Sequence, residues 1–155
     1  MSIKKIISKQ YQDKVNTAAT KLRKVGTPLE GWLRTARKAL GMSGAQLARR
    51  LGVTRAHVNN TEKGELNGSV TIKTLQKMAE AMGCRLVYAI IPEREVEKLL
   101  AARAKKKAMK IVEEVNKHMA LEKQALSEKQ VAFEIERLQR EMLKNPPANF
   151  WNDED

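Results

Sequence analysis

The chain has 155 residues, about one domain with room for appended elements, and it combines 42% hydrophobic residues with only 4% aromatics. That balance, rich in Ala, Leu, Lys and Glu, predicts a mainly α protein and argues against a β-sandwich. The formal charge of +12 is one-sided: residues 1–92 hold 17 Lys plus Arg against 5 Asp plus Glu, whereas residues 93–155 hold 13 of each, so a polyanion-binding module is expected before Pro92.

Residues 3–24 place Ile3, Ile6, Ile7, Tyr11, Val15, Ala18, Ala19 and Leu22 three to four apart, the spacing of an amphipathic helix, and residues 1–25 form the first segment. Gly26 breaks it. Pro28 after Thr27 reads as the start of a second helix, running through Trp32, Leu33, Ala36 and Leu40 to Gly41. Ser43 is the expected N-cap of a helix to Leu51. Thr54 is that of a helix to about Lys63 ending at Gly64, and Thr71 that of a helix with Ile72, Leu75, Met78, Ala79 and Met82 on one face.

The stretch CRLVYAIIP at 84–92 is β-branched and bounded by Gly83 and Pro92, so a short strand is predicted there. A single strand needs a partner, and the same strand of a second subunit would serve, with Val87 and Ala89 among the dimer contacts. Cys84 itself is expected to be a small buried side chain. As a lone cysteine it offers no disulfide, which fits a reducing compartment.

Residues 93–155 return to helical spacing, with Val96, Leu99, Leu100 and Ala104, then Ala108, Val112, Val115 and Met119, then Val131, Ile135, Leu138 and Met142. Two helices that fold on each other or on a partner are expected. The run RAKKK at 103–107 reads as a solvated face. The closing NPPANFWNDED cannot continue a helix, and Phe150 and Trp151 either anchor a partner or cover the chain's own C-terminal helices.

AQLARRLGVTRAHVNNTEKGE at 45–65 supplies the chemistry. Leu47, Ala48, Leu51 and Val58 suit two short helices packed across each other, and Gly52 suits the corner, as in a helix-turn-helix. The second helix then presents Thr54, Arg55, Ala56, His57, Asn59 and Asn60, a row too polar for a core. Arg can hydrogen-bond guanine bidentately and Asn adenine, while Thr and Ala can meet the thymine methyl.

Residues 31–83, from LRTARKALGMSGAQLARRLGVTRAHVNNTEKG to TIKTLQKMAEAMG, resemble the Xre-type helix-turn-helix family that includes phage repressors and Cro. The resemblance implies a five-helix DNA-binding domain at 26–83, usually dimeric, with base contacts from Thr54, Arg55, Ala56, His57 and Asn60. It also implies phosphate contacts from Ser43, Gln46 and Lys63, and a structural pair of Arg37 with Glu62. Gly44 departs from it, standing where the family often has a phosphate-reaching Gln. GCRLVYAIIP and HMALEKQALS extend the likeness to the family of small proteins called mobile mystery protein A, found beside a Fic-domain protein, which implies an antitoxin-like regulator. The Ser/Thr-x-x-x-Glu-Gly/Asn helix by which many antitoxins block Fic enzymes does not occur in this sequence.

The fold expected is therefore mainly α, a five-helix helix-turn-helix domain with a short strand and a C-terminal helical extension. The function expected is that of a sequence-specific regulator, an autorepressor bound as a homodimer to double-stranded DNA with an inverted repeat, with a Fic-domain protein as a possible partner. An alternative is a protein-interaction module whose helix-turn-helix no longer binds DNA. His57 and His118 are the only histidines, and no phosphate loop or metal-ligand spacing occurs, so no catalytic, cofactor or metal site is assigned. An RNA reader would be expected to expose aromatics on a sheet. No apolar run is long enough to span a bilayer and the N-terminus lacks a leader-like core, so a cytoplasmic location and no membrane contact are expected.

Overall fold

The computed structural model describes residues 2–153; position 1 of the expected N-terminal segment and positions 154 and 155 of the tail lie outside the described residues. Seven helices follow one another: α1 (Ile3–Val25), α2 (Trp32–Ala39), α3 (Gly44–Leu51), α4 (Arg55–Asn67), α5 (Ile72–Ala81), α6 (Val96–Leu121) and α7 (Glu128–Lys144). They belong to two compact units, one of Thr20–Ile90 and one of the residues up to Ala19 together with those from Ile91 on.

In the Thr20–Ile90 unit, α2 to α5 close over a core of Leu33, Leu47, Ala48, Val58, Met78 and Met82, with Leu51 and Leu75 packed against it. Leu47 and Val58 are fully enclosed, so the crossing of α3 over α4 is the densest point. Each helix start is built locally. Ser43 and Gln46 form a reciprocal capping box, and Thr54 and Thr71 accept the N–H groups of His57 and Thr74.

Two boundaries differ from expectation. Helix α2 starts at Trp32, not after Thr27. Its N-cap position is Gly31, at φ 84° and ψ 161° and without a side chain, and the Trp32 and Leu33 amides are capped instead from α4 by the Glu65 carboxylate at 2.5 and 2.8 Å. Helix α4 does not stop at Gly64 but runs to Asn67, with Gly68 in the left-handed conformation as its cap. Gly64 is buried there because Ser69 and Val70 fold back over it: a Cβ would lie 3.0 Å from the Ser69 hydroxyl. Packing keeps a glycine inside a helix that intrinsic propensity alone would end.

The strand expected at 84–92 is not formed. These residues adopt no regular structure, and Val87, Tyr88 and Ile90 are exposed: a strand needs a ladder, and among the described residues none includes them. Cys84 is likewise exposed rather than buried; its amide donates to Ala79 O at the end of α5.

In the other unit, α6 and α7 fold back on each other around Ala104, Ala108, Met142 and Phe150. Alanines at these α6 positions let α7 approach closely. The link between them is pinned by the Asn116 side chain accepting from Leu126 N–H at 2.8 Å, and α7 opens with a Ser127–Gln130 capping box. Asn16 of α1 accepts the Val96 N–H at 3.0 Å, and Glu97 accepts from Asn16 and Lys9. The apolar face of α1 remains largely uncovered: of its predicted positions only Ala19 is buried, and Ile3, Ile6, Ile7 and Tyr11 are exposed. Among the described residues, no helix is long and apolar enough to cross a membrane.

Candidate nucleic-acid interface

Between α3 and α4, Gly52 sits at φ 70° and ψ 32°, a conformation that strains any residue with a Cβ, and Val53 N–H returns to Ala48 O at 3.0 Å. This three-residue corner sets α4 across α3. Val58, Thr61, Glu62 and Gly64 face inward, which leaves Arg55, Ala56, Asn59, Asn60 and Lys63 exposed; Thr54 and His57 are exposed as well. Ala56, Asn59, Asn60 and Lys63 fall at i, i+3, i+4 and i+7 and so share one face. The Thr61 hydroxyl, which would compete with this row, is turned inward onto His57 O at 2.8 Å.

Two of the predicted phosphate contacts, Ser43 and Gln46, lie at the start of α3, and the third, Lys63, on the exposed face of α4. The Ser43 hydroxyl accepts Gln46 N–H at 3.1 Å, and Gln46 Oε1 accepts Ser43 N–H at 2.8 Å. Gln46 therefore retains its amide NH2 as the donor end. Gly44 leaves the first turn of α3 open: a Cβ there would meet only the Arg55 side-chain stem, at 4.0 Å, so Arg55 lies beside the start of α3. An open N-terminal turn of this kind presents backbone N–H groups and the positive end of the helix dipole.

Behind this face, Arg37 and Glu62 hold α2 to α4. Arg37 Nε donates to Glu62 Oε1 at 2.6 Å and Nη2 to Oε2 at 3.2 Å, while its Nη1 donates to Met42 O at 3.0 Å. The Glu62 side chain is 4% exposed and that of Arg37 12%. Donating to the Glu62 carboxylate raises the Arg37 pKa above its ordinary value, so the guanidinium stays charged. Arg34 adds a third donor to Glu62 at 3.2 Å, a partner the sequence reading missed. It also missed Glu65, and Arg50, whose Nε caps the end of α5 at Ala81 O, 2.7 Å away.

The acids of this unit are consumed internally. Thr20–Ile90 contains 13 Lys plus Arg and 4 acids. Glu62 and Glu65 are spent on Arg37 and the α2 cap, and Glu30 is matched by Lys38 at 2.9 Å, which holds its carboxyl below the usual range. Glu80 is the one acid outside these contacts. The unit thus carries an excess of basic side chains, of which Arg55 and Lys63 stand on the exposed α4 face.

Residues expected at partner contacts are distributed between the units. Val87 lies in the unpaired segment and is exposed, as is Ala89. Phe150 is buried at 4% exposure against Ala104, Ala108 and Met142 of its own unit, so its ring belongs to the fold and is not available to a partner. Trp151 is exposed, edge-on to Phe150 and beneath Arg103, whose guanidinium carbon is 5.7 Å from the ring centroid. Arg103 is not part of a solvated face, since it is largely enclosed by the tail.

Two short helices crossing at a left-handed glycine, the second bearing an exposed polar row, define a helix-turn-helix domain. Against protein-family models, residues 33–88 match the helix-turn-helix family, and this domain is of the Cro/C1, Xre-like type, the type of DNA-binding transcription regulators. No curated protein and no solved structure matches the chain.

Proposed function

We propose that this protein is a sequence-specific regulator that reads double-stranded DNA through α4 and represses its own promoter. The observation that carries this reading is the row Arg55, Ala56, Asn59, Asn60 and Lys63, which stays exposed and polar while every acid of α4 is turned onto α2. Arg55, Asn60, His57 and Thr54 read base edges, with Ala56 against a thymine methyl, and Ser43, Gln46 and Lys63 hold phosphates. A loss of DNA binding is disfavoured by the uncompensated positive field.

The working form in this reading is a homodimer on an inverted repeat, with recognition helices about 34 Å apart in successive major grooves. Residues 85–91 support it: they form no regular structure and enter no backbone ladder among the described residues, and Val87, Tyr88 and Ile90 are exposed, so pairing with the same segment of a second copy would cover both. The likeness to mobile mystery protein A adds an antitoxin-like role beside a Fic-domain partner. Footprinting of purified protein on the DNA upstream of its own gene tests the proposal. Protection of two half-sites one turn apart, lost in Arg55→Ala, is expected; equal affinity for that DNA and for random DNA overturns it. Co-purification with the neighbouring Fic protein tests the partner.

A further inference from the structure

A cleft of about 530 Å3 lies between α6, the C-terminal end of α7 and the tail, wholly inside the unit that includes Ile91 onward. That volume suits a small ligand. Its apolar lining is Ile111, Leu138, Met142 and Pro147, and its cationic rim includes Lys106 and Lys107.

The tail forms a stable wall. Arg103 donates from Nε to Phe150 O, from Nη1 to Asp153 Oδ1 and from Nη2 to Asn152 O, each at 2.7 Å, and the buried Phe150 ring anchors the same segment. Those bonds leave Lys106 and Lys107 as cleft cations not engaged in direct contacts with the tail. Asp153 is matched by Arg103, and Glu141 by Arg137 at 3.2 Å. Glu114 is the remaining acid of the lining, and Lys106 and Lys107, which act on Asp153 only at longer range, form no ion pair within 4 Å among the described residues. Cations and apolar side chains lining one cleft are a two-part recognition surface, one part for an anion and one for a hydrocarbon body.

We propose that this cleft binds a small soluble amphiphile, its single carboxylate, phosphate or sulfonate head on Lys106 and Lys107 and its apolar body on Ile111, Leu138, Met142 and Pro147. A cleft walled by helix and tail admits a free molecule end-on, whereas a bilayer surface would meet only the rim. The inference does not depend on DNA binding.

The test uses the full chain with Trp32→Phe, so that Trp151, next to the cleft wall, is the fluorescent reporter. Octyl phosphate below its micelle concentration is expected to give a saturable change. Octanol, octylammonium and inorganic phosphate should each bind at least about tenfold more weakly, and Lys106→Glu/Lys107→Glu should weaken octyl phosphate by a similar factor at unchanged helix content. If that variant loses helix, Lys106→Gln/Lys107→Gln is judged by the same criterion. Equal binding of octanol or octylammonium, equal binding of inorganic phosphate, a response only to anionic lipid vesicles, or indifference to both lysine variants each overturns the proposal.

Discussion

The carboxylate of Glu65, on α4, is the N-terminal cap of the helix that begins at Trp32, a contact across 33 residues of sequence. It places a full negative charge at the positive end of α2 and satisfies two amides that would otherwise be without partners. Glu65→Ala is expected to lower stability by about 1 to 2 kcal/mol in urea unfolding. Gly31→Ala should also destabilise, since its Cβ would sit 2.7 Å from Glu65 Oε2 on a backbone at φ 84°. An unchanged urea midpoint for Glu65→Ala would show that solvent caps α2 equally well.

The Arg37–Glu62 pair should respond differently to one change and to two. Glu62→Ala leaves an enclosed guanidinium without its partner, at a cost of about 3 to 5 kcal/mol. Replacing both with Met is expected to recover much of that, because two apolar side chains strand no charge. A double variant no more stable than the single one would mean that packing at this position, and not charge, had been lost.

Ser43, Thr54 and Thr71 were legible because each lies within four residues of the amide it accepts, but Thr27 offered the same local signal without being used, and neither Ser127 nor the distant Glu65 was read. The exposed face of α4 was legible for a related reason: a row such as Arg55, Asn59 and Asn60 has no place in an apolar core. What escaped depends on contacts distant in sequence. Gly64 reads as a stop until Ser69 and Val70 pack on it, 84–92 reads as a strand but forms no ladder among the described residues, and the role of Phe150 turns on Ala104 and Arg103, some fifty residues earlier. The apolar spacing of α1 indicated a helix correctly but not what would cover it.

On DNA, the α4 side chains should separate by what they touch. Asn60→Ala is expected to cost about 1 to 3 kcal/mol on the operator and little on random sequence. Lys63→Ala should weaken both equally and reduce the salt slope by about one unit. Competition titrations at several salt concentrations distinguish the two patterns, and a Lys63→Ala effect confined to the operator would remove Lys63 from the phosphate contacts.

The tail is expected to behave as part of the fold. Phe150→Ala should destabilise the unit that contains it by about 3 to 5 kcal/mol, whereas Trp151→Ala, at an exposed ring, should cost far less. Truncation after Lys144 should lower the melting temperature. A truncated chain that melts unchanged would return Phe150 to the role of a partner anchor.

Glu97 gives a pH signature. Its own backbone amide, then Asn16 and Lys9, hold its carboxyl below the usual glutamate range. A depressed folded-state value means that its stabilising contribution is complete above the ordinary glutamate pKa and is lost as pH falls through the lowered value. NMR titration of the Glu97 side chain should show a midpoint below that of exposed glutamates, and Asn16→Ala should move it upward. A midpoint indifferent to Asn16→Ala would leave the local backbone as its cause.

The division into Thr20–Ile90 and a unit assembled from both sides of it has a consequence for biosynthesis. The helix-turn-helix segment is continuous in sequence and can pack while the ribosome is still translating, but α1 must wait for α6, and α6 and α7 for Arg103 to receive the tail. Nascent chains exposed only as far as Leu121 are expected to resist protease across 30–83 and to be cut within the first 15 residues. A full-length chain released from the ribosome should lose that second sensitivity.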